Sequence, residues 1–502
     1  MYDALLNNPE YAMKTSAVLL CIASSLSLPA MGEDYFLTIG GGYSPSGNQV
    51  SLEKNVLYFQ RSLAARGLAG ARNDIFFADG NNKGADLEVL DRDSVPKANR
   101  LMAEFFGSTA NLGLSYRNHK VPNVRGATSP ANVKKWFREV GPSLKSRDRL
   151  VIYVTAHGSS SSNRQTPYDT TIAMWNNSRL RMREFVGLLD GLDAGVEVVC
   201  IMVQCHAGGF ARFIFKDGDP EKGLAKQKRV GFFATVHDRQ AAGCTSDVDE
   251  ASYVEYSTYF WAAVSGKDRL GNAIERPDYN GDGAVSMDEA HAYTVISANT
   301  IDLPVMSSGE FLTKHGRYGK SGSKLLTDDA GYDDVVSVAT PSQKAVLEAL
   351  SEQLELSGSD RIMAAYRATQ NRGGNPSSRS RVRGRSRQET PEARIRVRIR
   401  TDLRKRWPEL ANPLNPGSIE LLTTRKDEFI NAVESHRSYA EYRKLKDQKR
   451  NNATQKARVK YERFLRTVDN VIFAENLRRA KNENLIRQYD AIVAAESSVL
   501  FE

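Results

Sequence analysis

The chain has 502 residues, more than one hydrophobic core usually organises, so we expect at least two folding units. Its hydrophobic content of 41% suits a packed core. The net charge of +9 is uneven: residues 341–502 hold 33 Lys and Arg against 21 Asp and Glu, whereas residues 1–340 hold 36 against 39, which excludes a basic N-terminal unit.

The N-terminal segment has the pattern of an export signal whose translation start is Met13. Lys14 supplies a positive charge, residues 17–28 form an apolar stretch, and Ala30-Met31-Gly32 is a small-x-small cleavage site. We expect cleavage after Gly32 and a mature protein that is periplasmic or extracellular. No other segment reaches the roughly 18 to 20 apolar residues that a bilayer requires, so the mature protein should have no transmembrane span.

The cysteines exclude a disulfide framework. Cleavage would leave Cys200, Cys205 and Cys244, an odd number, so at least one thiol stays free. In an oxidising compartment this favours a thiol with a catalytic use, and buried, inert thiols are the alternative. A lipid anchor on Cys21 competes with the export signal, but Leu20 stands where a small residue should precede such a cysteine.

From Glu33 onward, short β-rich apolar runs alternate with amphipathic stretches, which is typical of βαβ units around a mostly parallel sheet. We expect helices on both faces of that sheet. The predicted strands are Tyr35–Ile39, Asp74–Phe77, Leu150–Thr155, Val196–Val203 and Val230–Val236. The predicted helices between them are Leu52–Arg66, Ser129–Val140 and Leu180–Leu189.

The character of the sequence changes after about residue 325, which predicts one domain over residues 33–325. Residues 326–417 form a helical and Arg/Ser-rich basic linker. Within it, residues 372–406 hold 13 basic and 3 acidic side chains, and their repulsion should keep much of this segment extended when it is unbound. Residues 418–502 predict a separate helical hairpin or coiled-coil-like tail. Its buried side should carry Phe429, Val433, Tyr439, Tyr442, Phe464, Val468, Ile472 and Leu477.

Two reactive side chains follow predicted strands. His157 comes after Leu150–Thr155, and Cys205 comes after Val196–Val203. Groups at the carboxyl ends of strands in an open α/β sheet converge on one crevice, so these two side chains can meet there. An imidazole beside a thiol can raise the thiolate fraction or donate a proton to a leaving amine. The amides of Gly158 and Cys205 are candidate hydrogen-bond donors to an oxyanion.

The motifs around this pair resemble a known family. Ala156-His157-Gly158-Ser159 and Gln204-Cys205-His206-Ala207-Gly208-Gly209 look like the catalytic signature of clan CD cysteine peptidases, the caspase and legumain group. Their 48-residue separation is close to the roughly 50 residues found in caspases. The segments that begin at Gly40 and Ala241 further resemble bacterial caspase-like or legumain-like proteins. The resemblance covers about residues 33–312.

The resemblance implies a caspase-type α/β fold and hydrolysis of peptide bonds in a peptide or protein substrate through a thioester on Cys205. One departure concerns specificity: metacaspases carry an acidic residue two positions before the nucleophile, where this chain has Val203. Asp238, Asp247 or Asp249 could restore an acidic pocket, although surface carboxylates are the alternative. A catalytically silent caspase-like scaffold that presents the basic helical tail is the competing function.

The stretch from Asp278 to Glu289 matches the twelve-residue calcium loop, with Gly283 at the sixth position for the sharp turn. We therefore expect a structural or activating Ca²⁺. The alternative is an Asp/Asn/Gly-rich turn before a helix capped near Ser286. The expected ligands are Asp278, Asn280, Asp282, Ala284, Ser286 and Glu289.

Two other kinds of ligand are weakly indicated. Gly40-Gly41-Gly42 begins a glycine-rich loop, but Pro45 occupies the position of the third glycine in the dinucleotide pattern, so we expect no nucleotide cofactor. The basic segment 372–406 could bind an anionic partner. Few aromatic residues interleave with its arginines, which argues against specific nucleic-acid recognition.

Overall fold

The computed structural model describes residues 32–370, 390–450 and 453–500. The expected export signal in residues 1–31 and the Arg/Ser-rich residues 371–389 lie outside these ranges. None of the described helices combines the length and apolarity needed to cross a bilayer.

The described residues form eleven strands, and most of these belong to one sheet. They are β1 (Asp34–Gly41), β2 (Asn73–Phe77), β3 (Leu87–Leu90), β4 (Leu114–Arg117), β5 (Val124–Gly126), β6 (Arg149–Ser159), β7 (Thr171–Met174), β8 (Ser178–Arg181), β9 (Glu197–Met202), β10 (Lys228–Phe233) and β11 (Val305–Met306).

Sixteen α-helices are described, eight of them after residue 338. They are α1 (Val50–Ala65), α2 (Lys97–Phe106), α3 (Pro130–Glu139), α4 (Met182–Asp190), α5 (Tyr256–Ser265), α6 (Met287–Ser297), α7 (Ser307–His315), α8 (Tyr332–Ser337), α9 (Pro341–Gln353), α10 (Arg361–Gln370), α11 (Pro391–Arg406), α12 (Pro416–Glu420), α13 (Lys426–Glu434), α14 (Tyr439–Arg450), α15 (Ala453–Arg479) and α16 (Glu483–Glu496).

The main sheet has the order β11-β10-β9-β6-β1-β2-β5, and β10, β9, β6, β1, β2 and β5 are parallel. β11 pairs antiparallel with β10 at one edge. The end of β6 carries β7, which in turn pairs with β8. The α/β sheet followed by a helical region, as predicted from the sequence, is therefore confirmed.

Helices cover both faces of the sheet because the side chains of its strands alternate between them. On one face, Tyr153 of β6 packs against Phe59 of α1 and Trp261 of α5. On the other face, the indole of Trp136 in α3 donates a 2.7 Å hydrogen bond to Asp74 of β2. Central strands that are buried on both sides account for the continuous apolar runs in the sequence.

Beyond residue 325, packing against the α/β unit continues without a break. α8, α9, α10 and α15 share a hydrophobic cluster with Ala292 and Val295 of α6. Leu477 of α15 and Tyr489 and Ile492 of α16 belong to the core of the sheet itself. The predicted boundary near residue 325 therefore separates regions of different composition that are packed together.

The tail predicted over residues 418–502 is helical, but its helices are divided between two packing sites instead of forming one hairpin. α13 and α14 pack with α2 and α11, where Phe429, Val433 and Tyr442 are buried. α15 and α16 pack about α6, α7 and the sheet, where Phe464, Val468 and Ile472 are buried. The apolar side chains were identified correctly from their spacing, whereas the surfaces that receive them were not.

The described part of the basic segment, which was expected to be extended when unbound, is helical where it packs against the rest of the chain, since residues 391–406 form α11. Thr390 caps this helix by accepting a hydrogen bond from Ala393. Ile395, Ile399 and Leu403 recur every four residues and are buried against α2 and α13. Burial of this stripe outweighs the repulsion between arginines that point to solvent.

Shortening Leu477 to alanine tests whether α15 is an integral part of the α/β unit. Leu477 is 5% exposed in the core, so Leu477→Ala should lower the free energy of unfolding by about 2 to 5 kcal/mol. The same substitution at Leu414, which is 81% exposed, should change it by less than about 0.5 kcal/mol. Urea unfolding of the full chain measures both, and equal effects would contradict the packing described.

Candidate functional site

The register of two parallel strands places His157 and Cys205 at the same edge of the sheet. In the pairing of β6 with β9, Val154 lies beside Met202. His157 is three residues beyond Val154, and Cys205 is three residues beyond Met202. The predicted convergence of strand ends thus follows from the backbone pairing.

β6 is longer than its sequence predicts. The strand was expected to end at Thr155, but it continues to Ser159 because its last residues pair antiparallel with β7. His157 faces Ala173 in this pairing, and Gly158 faces Ile172. The backbone of His157 is therefore held by the pairing of two strands, which fixes the position from which its side chain extends.

Gln49 orients the imidazole of His157. Its Oε1 lies 2.8 Å from Nε2 of His157, and its own amide nitrogen donates to the carbonyl of Ser46 at 3.1 Å. The amide is thus turned so that oxygen faces the ring, which assigns the proton to Nε2 and leaves Nδ1 with its lone pair. The ring of Tyr43 contacts the imidazole edge-on at a centroid distance of 5.3 Å.

Burial lowers the pKa of His157, and the backbone of Gly47 partly offsets that shift. The imidazole is therefore neutral at neutral pH, which is the state that a general base requires.

The thiol of Cys205 rests in a half-buried position against the loop after β10. The amide of Ala241 donates a hydrogen bond to Sγ at 3.3 Å. Burial raises the pKa of the Cys205 thiol; the Ala241 amide works against this shift, and the charge of Asp302 adds to it. The sulfur of Cys205 is therefore protonated in this structure. The amide of Ala241 is already placed to donate a hydrogen bond to a thiolate.

The turn after Cys205 passes directly beside the end of β6. A Cβ atom on Gly158 would lie 1.9 Å from the carbonyl oxygen of Cys205, so only glycine fits there. His206 has a left-handed φ of 61°, and its amide donates to the carbonyl of Arg239 at 2.8 Å. The residues on either side of the two reactive side chains are thus in contact.

One of the two predicted oxyanion donors has a free amide. Among the described residues, the Cys205 amide donates to no group other than its own sulfur. Gly158 lies in the β6–β7 pairing. A substrate carbonyl at the strand ends could accept a hydrogen bond from the Cys205 amide.

The predicted pocket residues do not form one acidic group. Val203 is buried, and its amide donates to the carbonyl of Val154 at 3.0 Å. The Asp247 carboxylate accepts from the amide of Asp249, and the Asp249 carboxylate accepts from the amide of Ala251, so both stabilise their own loop. Asp238 is exposed and lines a hollow with Tyr168, Gly208, Val236, His237, Arg239, Leu303, Val305, Glu310, Thr313 and Arg466.

Asp302 holds the loop that contacts the thiol of Cys205, and this residue was not predicted from the sequence. It is 1% exposed, and its Oδ1 accepts a 2.6 Å hydrogen bond from Ala242, the neighbour of the residue that contacts Sγ. Burial raises the pKa of Asp302 to about 7. The only feature of the sequence that indicates a buried carboxyl is that Asp302 stands between two apolar residues, Ile301 and Leu303.

Arg463 of α15 holds the Asp302 segment in place. This buried guanidinium donates to the carbonyl of Asp302 at 2.8 Å and to the hydroxyl of Thr300 at 2.8 Å. It also donates to the carbonyls of Val295 and Ala298 at the end of α6. A residue near the C-terminus thereby positions the loop on which the thiol rests.

The expected calcium loop forms a tight turn around the first of its predicted ligands. The carboxylate of Asp278 accepts hydrogen bonds from the amides of Gly281, Asp282 and Gly283, which wraps the chain around it. Gly283 has a φ of 86°, the left-handed turn that the sixth position demands. The side chains of Asp278, Asn280 and Asp282 therefore gather on one exposed turn.

Glu289 turns into the same loop from α6. One of its oxygens accepts from the amides of Tyr279 and Asn280, and the other accepts from Ser286. Ser286 and Glu289 also form the capping box of α6, so the helix-cap arrangement proposed as the alternative is present. Glu289 occupies the twelfth position of the loop in sequence, and hard oxygen donors are the kind that calcium takes. Among the described residues, however, the carboxylates of Asp278, Asp282 and Glu289 do not lie within 4.8 Å of one another.

Comparisons with known proteins give little guidance. No protein-family model matches the chain, and no curated protein matches it. A solved structure similar to part of it, protein GSU0716 from Geobacter sulfurreducens, shares 13% sequence identity and covers 43% of this chain and 77% of that chain, with a TM-score of 0.25. A likeness at that TM-score supports no inference about fold or function.

Replacing Asp302 with asparagine tests its effect on the thiol. Above pH 7 Asp302 is ionised and disfavours the Cys205 thiolate, so Asp302→Asn should speed alkylation of Cys205 roughly 2- to 10-fold there. Below pH 7 Asp302 gains a proton, and the difference should vanish. Iodoacetamide labelling across pH, resolved by peptide mass spectrometry, measures the rate. Asp249→Asn is the control, and slower labelling of Asp302→Asn above pH 7 would contradict the assignment.

Proposed function

We propose that the chain is a cysteine endopeptidase in which Cys205 is the nucleophile and His157 is the acid and base. The observation that carries the proposal is the equal offset of these two residues beyond the paired positions Val154 and Met202. The family resemblance of the flanking motifs supports it. The contact between Gln49 and Nε2, which orients the imidazole, suits the same role.

The reaction begins from a neutral pair. With a raised thiol pKa and a lowered imidazole pKa, the proton stays on sulfur until a bound substrate excludes water and aligns the carbonyl. His157 then accepts the thiol proton as sulfur attacks the carbonyl carbon. The amide of Cys205 donates to the resulting oxyanion, and His157 returns the proton to the departing amine. Water hydrolyses the remaining thioester and regenerates the thiol.

The competing proposal is a catalytically silent scaffold. The raised pKa of the Cys205 thiol and the apolar Val203 at the expected acidic position favour it. A thiol-directed peptide probe separates the two functions, since a working peptidase is labelled faster by a peptide-linked electrophile than by the same electrophile without a peptide.

Removing the nucleophile or the base tests the enzyme directly. Cys205→Ala should abolish hydrolysis in a positional-scanning peptide library, and His157→Gln should slow it at least about 100-fold. His436→Gln, a change of the same type at a histidine between α13 and α14, should leave the rate unchanged. Circular dichroism checks that each variant folds. Hydrolysis retained by Cys205→Ala would eliminate the proposal.

We also propose that the loop from Asp278 to Glu289 binds Ca²⁺ as a structural or activating ion. Its six expected ligands are Asp278, Asn280, Asp282, the carbonyl of Ala284, Ser286 and Glu289. Glu289 anchors the start of α6, and α6 also carries the residues that Arg463 contacts. Calcium bound at the loop would in this way stabilise α6 and, through the contacts of Arg463, the segment that contains Asp302.

Calorimetry with CaCl₂ on the full chain should show one site that Glu289→Gln weakens at least about 10-fold, because a bidentate carboxylate is lost. Asp333→Asn on the exposed side of α8 is the control and should bind as the unaltered chain does. Absence of calcium binding by the unaltered chain removes this proposal and leaves the helix cap as the role of the loop.

The remaining proposals concern location and partners. The signal-like N-terminus supports an exported, periplasmic or extracellular protein. The basic segment 372–406 supports an anionic partner, and α11 presents Arg394, Arg398, Lys405 and Arg406 to solvent. Specific nucleic-acid recognition is not proposed, because this surface offers phosphate contacts with few aromatic residues for stacking.

A further inference from the structure

Three side chains from separate connections meet near the carboxyl end of β2. Asp79 follows β2, Asp86 precedes β3, and His119 follows β4. One carboxylate oxygen of each aspartate and one ring nitrogen of the histidine all lie within 4.8 Å of one another. Residues far apart in sequence are thus gathered into one mixed oxygen and nitrogen set.

The two carboxylates are buried without a cation of their own. Asp79 is 8% exposed and Asp86 is 1% exposed, and Oδ1 of Asp79 is buried without a hydrogen-bond partner. Arg117, whose charge reaches Asp86, is engaged by Glu53 in a two-pronged ion pair. Two adjacent buried carboxylates repel each other unless a proton or a cation lies between them.

Both ring nitrogens of His119 have backbone partners. Its Nε2 lies 2.8 Å from the carbonyl of Gly80, and its Nδ1 accepts a 3.2 Å hydrogen bond from the amide of Val121. The proton is therefore on Nε2, and a metal ion bound at Nδ1 would replace the Val121 amide as the partner of its lone pair. A backbone carbonyl that accepts the second N–H is the usual way in which proteins fix a ligating imidazole.

Asp86 is held in the same way. Its Oδ1 accepts the amide of His119 at 2.9 Å, and its backbone carbonyl accepts from Nδ2 of Asn48 at 2.9 Å. Asn48 in turn accepts from the amide of Gly42. The cluster is thus tied to the loop that ends in Gln49, the partner of His157.

We propose that Asp79, Asp86 and His119 form a binding site for a divalent first-row transition metal ion, such as Zn²⁺ or Mn²⁺. Two carboxylates and one imidazole at this spacing leave further positions open for water. An imidazole ligand and only two carboxylates suit these ions better than Ca²⁺, which takes six to eight oxygens. The site neutralises the unpartnered oxygen of Asp79 and braces the Gly42–Gln49 loop. It is distinct from the calcium loop and does not depend on peptidase activity.

Calorimetry on the full chain with MnCl₂ and with ZnCl₂ tests the site, with a thermal-unfolding scan at each metal concentration. With the calcium loop filled by excess CaCl₂, the unaltered chain should bind one Mn²⁺ and unfold at a higher temperature when it is bound. Asp86→Asn and His119→Gln should weaken binding at least about 10- to 100-fold. Asp333→Asn and His436→Gln are matched controls that should bind Mn²⁺ unchanged.

A spectrum of the unaltered chain with Co²⁺ keeps the test decisive if a variant fails to fold. Ligation by oxygen and nitrogen gives weak visible bands without the strong near-ultraviolet band of a cobalt–thiolate bond. A thiolate band would assign the metal to the free cysteines and overturn the proposal. No Mn²⁺ binding by the unaltered chain, or equal binding by Asp86→Asn, would overturn it as well.

Discussion

The parallel pairing of β6 with β9, buried on both faces, is the constraint on which the rest of the structure depends. Backbone amides and carbonyls inside a core must be paired, so neither strand can slide by a residue without exposing its apolar side chains. The register that places Val154 beside Met202 consequently sets how far His157 and Cys205 lie beyond the carboxyl ends of these two strands. Everything beyond the strand ends only adjusts the directions of these two side chains.

Those directions are set by loops that arrive from three sides. Gln49, at the start of α1, turns the imidazole, and Ala241, after β10, contacts the sulfur. Asp302 then holds the neighbour of Ala241, and Arg463 of α15 holds the segment of Asp302. The electrostatic state follows from the same arrangement: burial keeps the imidazole neutral and the thiol protonated. The two reactive side chains are thus positioned by packing and carry no charge of their own.

The sequence predicts the central strands β1, β2, β6, β9 and β10, and the meeting of the ends of β6 and β9, because both depend on local patterns. An apolar run followed by histidine or cysteine can be read directly, and parallel strands bring their ends together whatever lies between. Gln49 and Asp302 could not be predicted, since each acts through a contact more than 50 residues away that no local pattern encodes. The helix α11 was missed for a related reason: charge repulsion is visible in composition, but the apolar surface that receives Ile399 is contributed by α2.

The contact of Arg463 with the Asp302 segment joins two parts of the chain that are synthesised at different times. Asp302 and Arg463 are separated by 161 residues. At a synthesis rate of about 5 to 20 residues per second, roughly 10 to 30 seconds pass between their appearance on the ribosome. Cys205 and the strand before it are made earlier still. A nascent chain therefore possesses this thiol well before the helix that steadies the loop beneath it, and the loop is secured only after α15 has been synthesised.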